Sequence, residues 1–228
     1  MDEIAPGIWR WTARHPEWHT RVEWGHEVAC FALAGEGLVL VDPQLPPPDA
    51  PTRSEIDGAL ERLARKASRL DIMITIPYHT RSAEELLRRY RDDLPTTLWG
   101  HAACAKRFTD AATVLHEIEP GGQAGEVATA LPIGKPRRQE MPLYFPRQRA
   151  LAFGDTVIGI DGVLRVWQPA PFTPDWYEGA FVPTLRPLLD LDVERVLVTH
   201  GPAVLHDGRR ALADALAAGA WDYRTPKV

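Results

Sequence analysis

The sequence predicts an α/β protein: a layered α/β sandwich that forms a single domain of 228 residues. Two observations lead to this fold class. Short runs of β-branched and aromatic residues recur along the chain, and segments with helical spacing of apolar residues alternate with the later runs. This order occurs twice, in halves that span about 1–125 and 126–228. We therefore expect two β-rich half-sheets, each with helices on its outer side.

In the first half, turn residues and prolines separate the predicted elements. The predicted strands are Ile8 to Thr12, Val28 to Leu33, Leu38 to Val41, Asp71 to Ile76 and Thr97 to Trp99. Helical spacing runs from Ser54 to Leu70 and again from Ser82 to Tyr90. The tetrapeptide Ser82-Ala-Glu-Glu85 fits a capping box, in which the serine accepts from a free helix amide and the glutamate reaches back.

In the second half, strand-like runs dominate until the last sixty residues. The predicted strands are Glu126 to Ala130, Pro142 to Phe145, Ala150 to Phe153, Val157 to Ile160, Val163 to Val166 and Arg195 to Thr199. Helices are expected from Phe181 to Leu189 and from Asp207 to Ala218.

Composition and charge exclude several classes of protein. The net charge is −5 with no block of like charge, so we expect no nucleic-acid partner. No apolar run approaches the roughly 20 residues that cross a bilayer, so we expect no membrane partner. The N-terminus opens with acids and has no signal-peptide pattern, which predicts a cytoplasmic protein. Cys30 and Cys104 lack C-x-x-C spacing, so neither a thiolate metal cluster nor a disulfide is expected.

Three ionisable residues follow predicted strands. His79 follows the run 71–76, Asp155 follows Ala150 to Phe153 by way of a glycine, and His200 follows Arg195 to Thr199. In open α/β sheets, groups beyond the carboxyl ends of strands converge on the ligand crevice. Two imidazoles and a carboxylate suit zinc, iron or manganese. These residues are therefore candidate metal ligands.

The joint pattern resembles the metallo-β-lactamase superfamily over nearly the whole chain. Leu38-Val-Leu-Val-Asp42 is similar to that family's early strand ending in aspartate, and Ala150-Leu-Ala-Phe-Gly-Asp155-Thr156 to its strand that carries the metal-bridging aspartate. The segment from Leu188 to His200-Gly201 is similar to its closing helix, strand and His-Gly pair. The resemblance implies the family's four-layer αβ/βα sandwich and a hydrolase-like activity.

The chain departs from the family where most of the metal ligands are expected. The motif HxHxDH would fall on residues 77–82, Pro-Tyr-His-Thr-Arg-Ser, which retain only His79. Arg81 stands where the aspartate belongs, and a later histidine falls by count on Glu140. A guanidinium is permanently charged and only donates, so it repels a neighbouring cation. A centre of two metals is not expected.

Two functional hypotheses remain open. In the first, His79, Asp155, His200 and Glu140 hold one divalent ion, and the protein hydrolyses a small ester, thioester or lactone. In that hypothesis Asp155, His79 and Arg81 are catalytic, and Arg81 also clamps an anionic group of the substrate. In the second, Arg81 replaces the second metal by pairing with Asp155, and the chain is a metal-free pseudoenzyme or ligand-binding protein.

Aromatic residues supply further candidates for contact with a small-molecule substrate. Tyr78 lies next to His79, and Trp176 lies in the segment Gln168 to Gly179, which is long enough to close over a ligand. The N-terminal quarter holds four tryptophans, which predict core packing, packing in a homodimer, or a flap over the site. They are Trp9, Trp11, Trp18 and Trp24.

Overall fold

The fold is taken from a computed structural model, which describes residues 1–15, 25–135, 137, 139–167 and 173–221. Over these residues the chain divides into two compact units. One consists of the described residues within 1–18 and 27–118, and the other of those within 19–26 and 119–228. Each is described separately. The α/β fold class predicted from the sequence is confirmed.

The first unit contains a sheet of seven strands in the order of the chain. The strands are β1 (Asp2–Ala5), β2 (Ile8–Arg14), β3 (Glu27–Ala34), β4 (Leu38–Val41), β5 (Leu70–Met73), β6 (Thr96–Gly100) and β7 (Leu115–Glu117). Strands β1 to β4 pair antiparallel, whereas β4 to β7 pair parallel. Strands β4 and β5 are buried along their whole length, as their continuous apolar runs predict.

Helices α1 (Arg53–Ala64) and α2 (Ala83–Tyr90) pack on this sheet. Helix α1 was expected to run to Leu70 but ends at Ala64. The reason is that Leu70 opens β5, where it pairs with Leu38, so the intervening residues must turn the chain back to the sheet. Trp9 and Trp11 pack in or against the core of this unit, whereas Trp18 and Trp24 lie outside the described residues.

The predicted capping box at Ser82 is wrong. Ser82 makes no side-chain bond to the helix, because its Oγ accepts a hydrogen bond of 2.9 Å from the Leu45 amide. The carboxylate of Glu85 instead pairs with the guanidinium of Arg53, which is largely buried on α1. Both side chains that the local pattern assigns to the helix cap, Ser82 and Glu85, therefore bind residues outside helix α2 instead.

The second unit contains two sheets. One has five strands in the order β14-β11-β10-β9-β8, and the other has three in the order β12-β13-β15. The strands are β8 (Gln123–Ala124), β9 (Ala128–Ala130), β10 (Leu143–Phe145), β11 (Ala150–Phe153), β12 (Val157–Ile160), β13 (Val163–Trp167), β14 (Arg195–Val198) and β15 (Ala220–Trp221). The site residues follow β11 and β14, which pair parallel, so their carboxyl ends lie at the same edge.

The helical residues of the second unit fall in two places. One stretch runs from residue 174 to residue 190 as α3 (Pro174–Trp176), a π-helical turn (Tyr177–Phe181), α4 (Val182–Leu185) and a 3₁₀ turn (Arg186–Asp190). The sequence predicts one regular helix over Phe181 to Leu189, whereas the helix type changes within this range. Pro183 and Pro187 lack the amide that such a helix needs, which explains the change of helix type. The last helix, α5 (Gly208–Ala217), packs its buried Leu212 and Ala215 into the core of the unit.

Gly201 allows the backbone that carries His200 to approach β12 closely. The amide of Gly159 donates to the His200 carbonyl over 2.7 Å. Gly201 has a φ of +83°, and a Cβ there would lie 2.0 Å from the Gly159 oxygen. Gly162 has nearly the same φ of +82° but open space around it. Alanine substitutions at these two glycines therefore separate the cost of backbone strain from the cost of steric overlap.

We predict that Gly201→Ala lowers the free energy of unfolding by about 3 kcal/mol or more, because strain and a backbone clash combine. Gly162→Ala, the matched control, is expected to cost only about 1 kcal/mol from the left-handed conformation. Urea unfolding of both variants measures the difference. Equal costs would contradict the close approach at His200.

Candidate active site

Asp42 organises a buried polar network at the end of β4 in the first unit. It adopts a left-handed conformation with a φ of 47°. Its carboxylate accepts from the amide of Thr75 over 2.8 Å and from the hydroxyl of Thr75 over 2.5 Å. The same carboxylate lies 2.9 Å from Nδ1 of His79. All three residues are buried, so the network is fixed in place.

His79 lies on the 3₁₀ turn Pro77–His79, which follows β5. Because its Nδ1 faces a carboxylate, a neutral ring would carry its proton there and its lone pair on Nε2. An imidazole held in this way suits either metal ligation or proton transfer through Nε2. The predicted strand-end position of His79 is confirmed. Its catalytic and metal roles stay predictions.

Arg81 supports the backbone of the first unit's network. It has a φ of 39°, and its Nη1 donates to the main-chain oxygen of Asp42 over 2.9 Å. Its guanidinium lies near the thiol of Cys30. Burial raises the pKa of Cys30 to about 11, although Arg81 opposes the rise. The predicted roles of Arg81 in catalysis and in binding a substrate anion stay predictions.

Tyr78 and Trp176, the predicted substrate-binding aromatics, make different contacts. Tyr78 is 56% exposed, and the guanidinium of Arg107 lies 4.2 Å from the centre of its ring. Trp176 stacks on Phe181 with ring centres 5.7 Å apart and packs against the core of the second unit. These contacts define surroundings for both rings. Substrate binding by either ring stays a prediction.

Asp155 is the centre of the site residues in the second unit. It follows β11 after Gly154, and one carboxylate oxygen, Oδ1, lies 3.5 Å from Nε2 of His200. The other oxygen, Oδ2, lies 3.5 Å from Nη1 of Arg137. The guanidinium of Arg137 also lies 4.0 Å from the centre of the Trp167 ring. The structure thus brings two of the predicted residues together and adds an arginine that the sequence did not single out.

Glu140 holds the turn on which Asp155 lies. Its carboxylate is fully buried and accepts from the amide of Gly154, the amide of Thr156 and the hydroxyl of Thr156. Burial raises the pKa of Glu140; Arg137 opposes the rise and Asp155 adds to it. Each oxygen already accepts hydrogen bonds, so metal ligation by Glu140 would have to compete with them. Its role as a ligand stays a prediction.

The donor set offers a poor fit to a metal ion. In the described part of the chain, no group of three or more His, Cys, Asp or Glu side chains is arranged to hold one. In the second unit, Asp155 and His200 place two donor atoms together, but the guanidinium of Arg137 lies beside the same carboxylate. The metal centre predicted on His79, Asp155, His200 and Glu140 stays a prediction.

Comparison with solved structures identifies the fold. A metallo-beta-lactamase family protein from Thermus thermophilus is similar, with a TM-score of 0.59 and 16% identity over 95% of this chain and 80% of that one. A metallo beta lactamase from Hirschia baltica gives a TM-score of 0.62 and 17% identity over 95% of both chains. The chain has the metallo-β-lactamase fold. No protein-family model and no curated protein matches it.

The metallo-β-lactamase fold does not select a reaction. A metal-soaked flavodiiron core from Synechocystis sp. PCC6803 is also similar, with a TM-score of 0.57 and 14% identity over 84% of this chain and 52% of that one. Neighbours with such different names share the fold, so the function must be argued from the site. None of the helices in the described ranges has both the length and the hydropathy to cross a bilayer.

We predict that Glu140→Gln changes how stability depends on pH. Because the folded pKa of Glu140 is raised from 4.5, its contribution to the free energy of unfolding is fully present below pH 4.5 and is lost as pH rises through the folded pKa. Glutamine does not titrate. The variant's stability relative to the parent protein should therefore increase with pH from about 4.5 upward, as measured by urea unfolding.

Glu84→Gln is the matched control, because the pKa of Glu84 is lowered and its stability contribution changes with pH in the opposite direction. Burial alone would raise the pKa of Glu84, but hydrogen bonds from the amides of Asp110 and Thr109 lower it below 4.5. Its contribution is present above pH 4.5 and is lost as pH falls. The same pH trend for both variants, relative to the parent, would contradict the account of Glu140.

Proposed function

We propose that this chain is a metallo-β-lactamase-fold protein that binds a small molecule and holds no metal ion. The observation that supports the proposal is the position of Arg137, whose Nη1 lies 3.5 Å from Oδ2 of Asp155. The proposal places the cation that substitutes for a metal on Arg137, whereas the pairing of Arg81 with Asp155 stays a prediction from the sequence. The partners in this proposal are a small molecule and a second copy of the chain. It includes no nucleic acid and no membrane.

Electrostatics supports the substitution. A divalent ion bound by a carboxylate lies about 2.1 Å from its oxygen, so an ion on Asp155 would lie a few ångströms from the guanidinium. At an effective dielectric constant of about 20, a unit and a double positive charge about 4 Å apart repel by on the order of 8 kcal/mol. A guanidinium does not lose its proton to relieve this repulsion. Arginine and metal therefore compete for the same carboxylate.

A hydrolase is the second candidate function, and the bond between His79 and Asp42 favours it. With the Asp42 carboxylate on Nδ1, the imidazole is oriented and its Nε2 carries the lone pair that would take a proton from water. The substrate would be a small ester, thioester or lactone. A single zinc, iron or manganese ion would be the cofactor only if the measurement below detects it.

We predict that the parent protein, purified without added metal, holds well under one ion per chain and gains little thermal stability from zinc, iron or manganese. Arg137→Met removes the charge and keeps an apolar stem, so the Asp155 carboxylate should lose the guanidinium that lies 3.5 Å from it. Its melting temperature should fall, and added zinc should restore part of the loss because a ligand of the native state stabilises it. Elemental analysis and thermal unfolding measure both effects.

Arg149→Met is the matched control for this experiment. Arg149 pairs with Asp192 at the surface of the same unit, so its loss should cost little and create no zinc response. A near-stoichiometric ion in the parent protein, unchanged in amount in Arg137→Met, would overturn the metal-free proposal. In that case the hydrolase with one ion becomes the better account.

A further inference from the structure

One edge of the Arg137 guanidinium makes no hydrogen bond to the described part of the protein. One terminal nitrogen, Nη1, faces Asp155, and the planar face lies over Trp167. Nε and Nη2 are buried, yet neither has a hydrogen-bond partner among the described residues. These two nitrogens form the edge of a guanidinium that binds a carboxylate with two parallel hydrogen bonds.

Arg149, in the same unit, shows what this edge does when a carboxylate is present. Its Nε donates to Oδ2 of Asp192 and its Nη2 to Oδ1, each over 2.7 Å. That pair lies at the surface, where water would otherwise satisfy the donors. In Arg137 the corresponding donors are removed from solvent, and a buried charged donor without an acceptor costs more than a neutral one.

Trp167 fixes the direction in which the Nε–Nη2 edge of Arg137 points. Stacking on an aromatic ring fixes the plane of a guanidinium, so the Nε and Nη2 hydrogens point along one line. Arg81 has the same two nitrogens buried without a partner in the described residues, but its guanidinium lies near the Cys30 thiol. Arg137 is therefore the stronger candidate for an anion that comes from outside the chain.

We propose that the Nε–Nη2 edge of Arg137 binds the carboxylate of a small organic monoanion. This proposal rests on the metal-free function proposed above and names its class of ligand. A planar carboxylate matches the two-pronged edge. Asp155 lies 3.5 Å from the same guanidinium and limits the charge that the site accepts, so a phosphate dianion is disfavoured relative to a monocarboxylate.

The test compares benzoate with benzamide, which has nearly the same shape but no charge. The full chain is freed of metal with a chelator and then dialysed into buffer without carboxylate or phosphate, at constant ionic strength. Calorimetric titration should show benzoate binding to the parent protein, with benzamide and inorganic phosphate at least tenfold weaker. Equal binding of benzoate and benzamide, or no binding of benzoate, would overturn the proposal.

Variants locate the binding. Arg137→Lys keeps the positive charge but loses the fork, so its affinity for benzoate should fall at least tenfold. Arg149→Lys makes the same change at the surface pair and should bind benzoate as the parent does. Unchanged affinity in Arg137→Lys would contradict the assignment. If that variant does not fold, the Nε–H resonance of Arg137 in the parent protein replaces it: benzoate must shift this resonance, and a resonance that does not move overturns the proposal.

Elemental analysis of the same preparations before the chelator step separates this proposal from the one on which it rests. A metal-free protein that does not distinguish benzoate from benzamide contradicts only the carboxylate site. A protein that retains an ion at Asp155 contradicts the metal-free function itself.

Discussion

A carboxylate that is largely removed from water needs a positive partner, and this need shapes the second unit. Asp155 lies on the turn after β11, where Glu140 binds the backbone on both sides of it. Arg137 is the cation beside that carboxylate, and the Trp167 ring packs on the guanidinium. The Asp155 carboxylate therefore lies between the guanidinium of Arg137 and the ring of His200, each at 3.5 Å.

In each of the two units, a buried carboxylate binds a threonine that follows a strand. In the first, the Asp42 carboxylate accepts from the amide and the hydroxyl of Thr75. In the second, Glu140 accepts from the amide and the hydroxyl of Thr156. A buried carboxylate that binds both donors of one threonine holds the chain rigidly, because each donor would be costly to leave without an acceptor. The network in the first unit orients His79, and that in the second positions Asp155.

The sequence predicted those features that depend on local pattern. Continuous apolar runs identified strands β4, β5, β11 and β14, and the residues after three of them were recognised as site candidates. Arg137 was missed because a loop residue with a long side chain has no periodic signal, and its partner Asp155 lies far along the chain beyond two strands. The cap at Ser82 was wrong for the related reason that a tertiary contact, the Leu45 amide, took the serine hydroxyl.

The most direct test of the central claim is anomalous diffraction at the zinc edge from crystals soaked in zinc. If Arg137 has taken the metal's place, density for its guanidinium will lie beside the Asp155 carboxylate, and no anomalous peak will lie within coordination distance of that carboxylate. A peak on Asp155 with the arginine displaced would contradict the account.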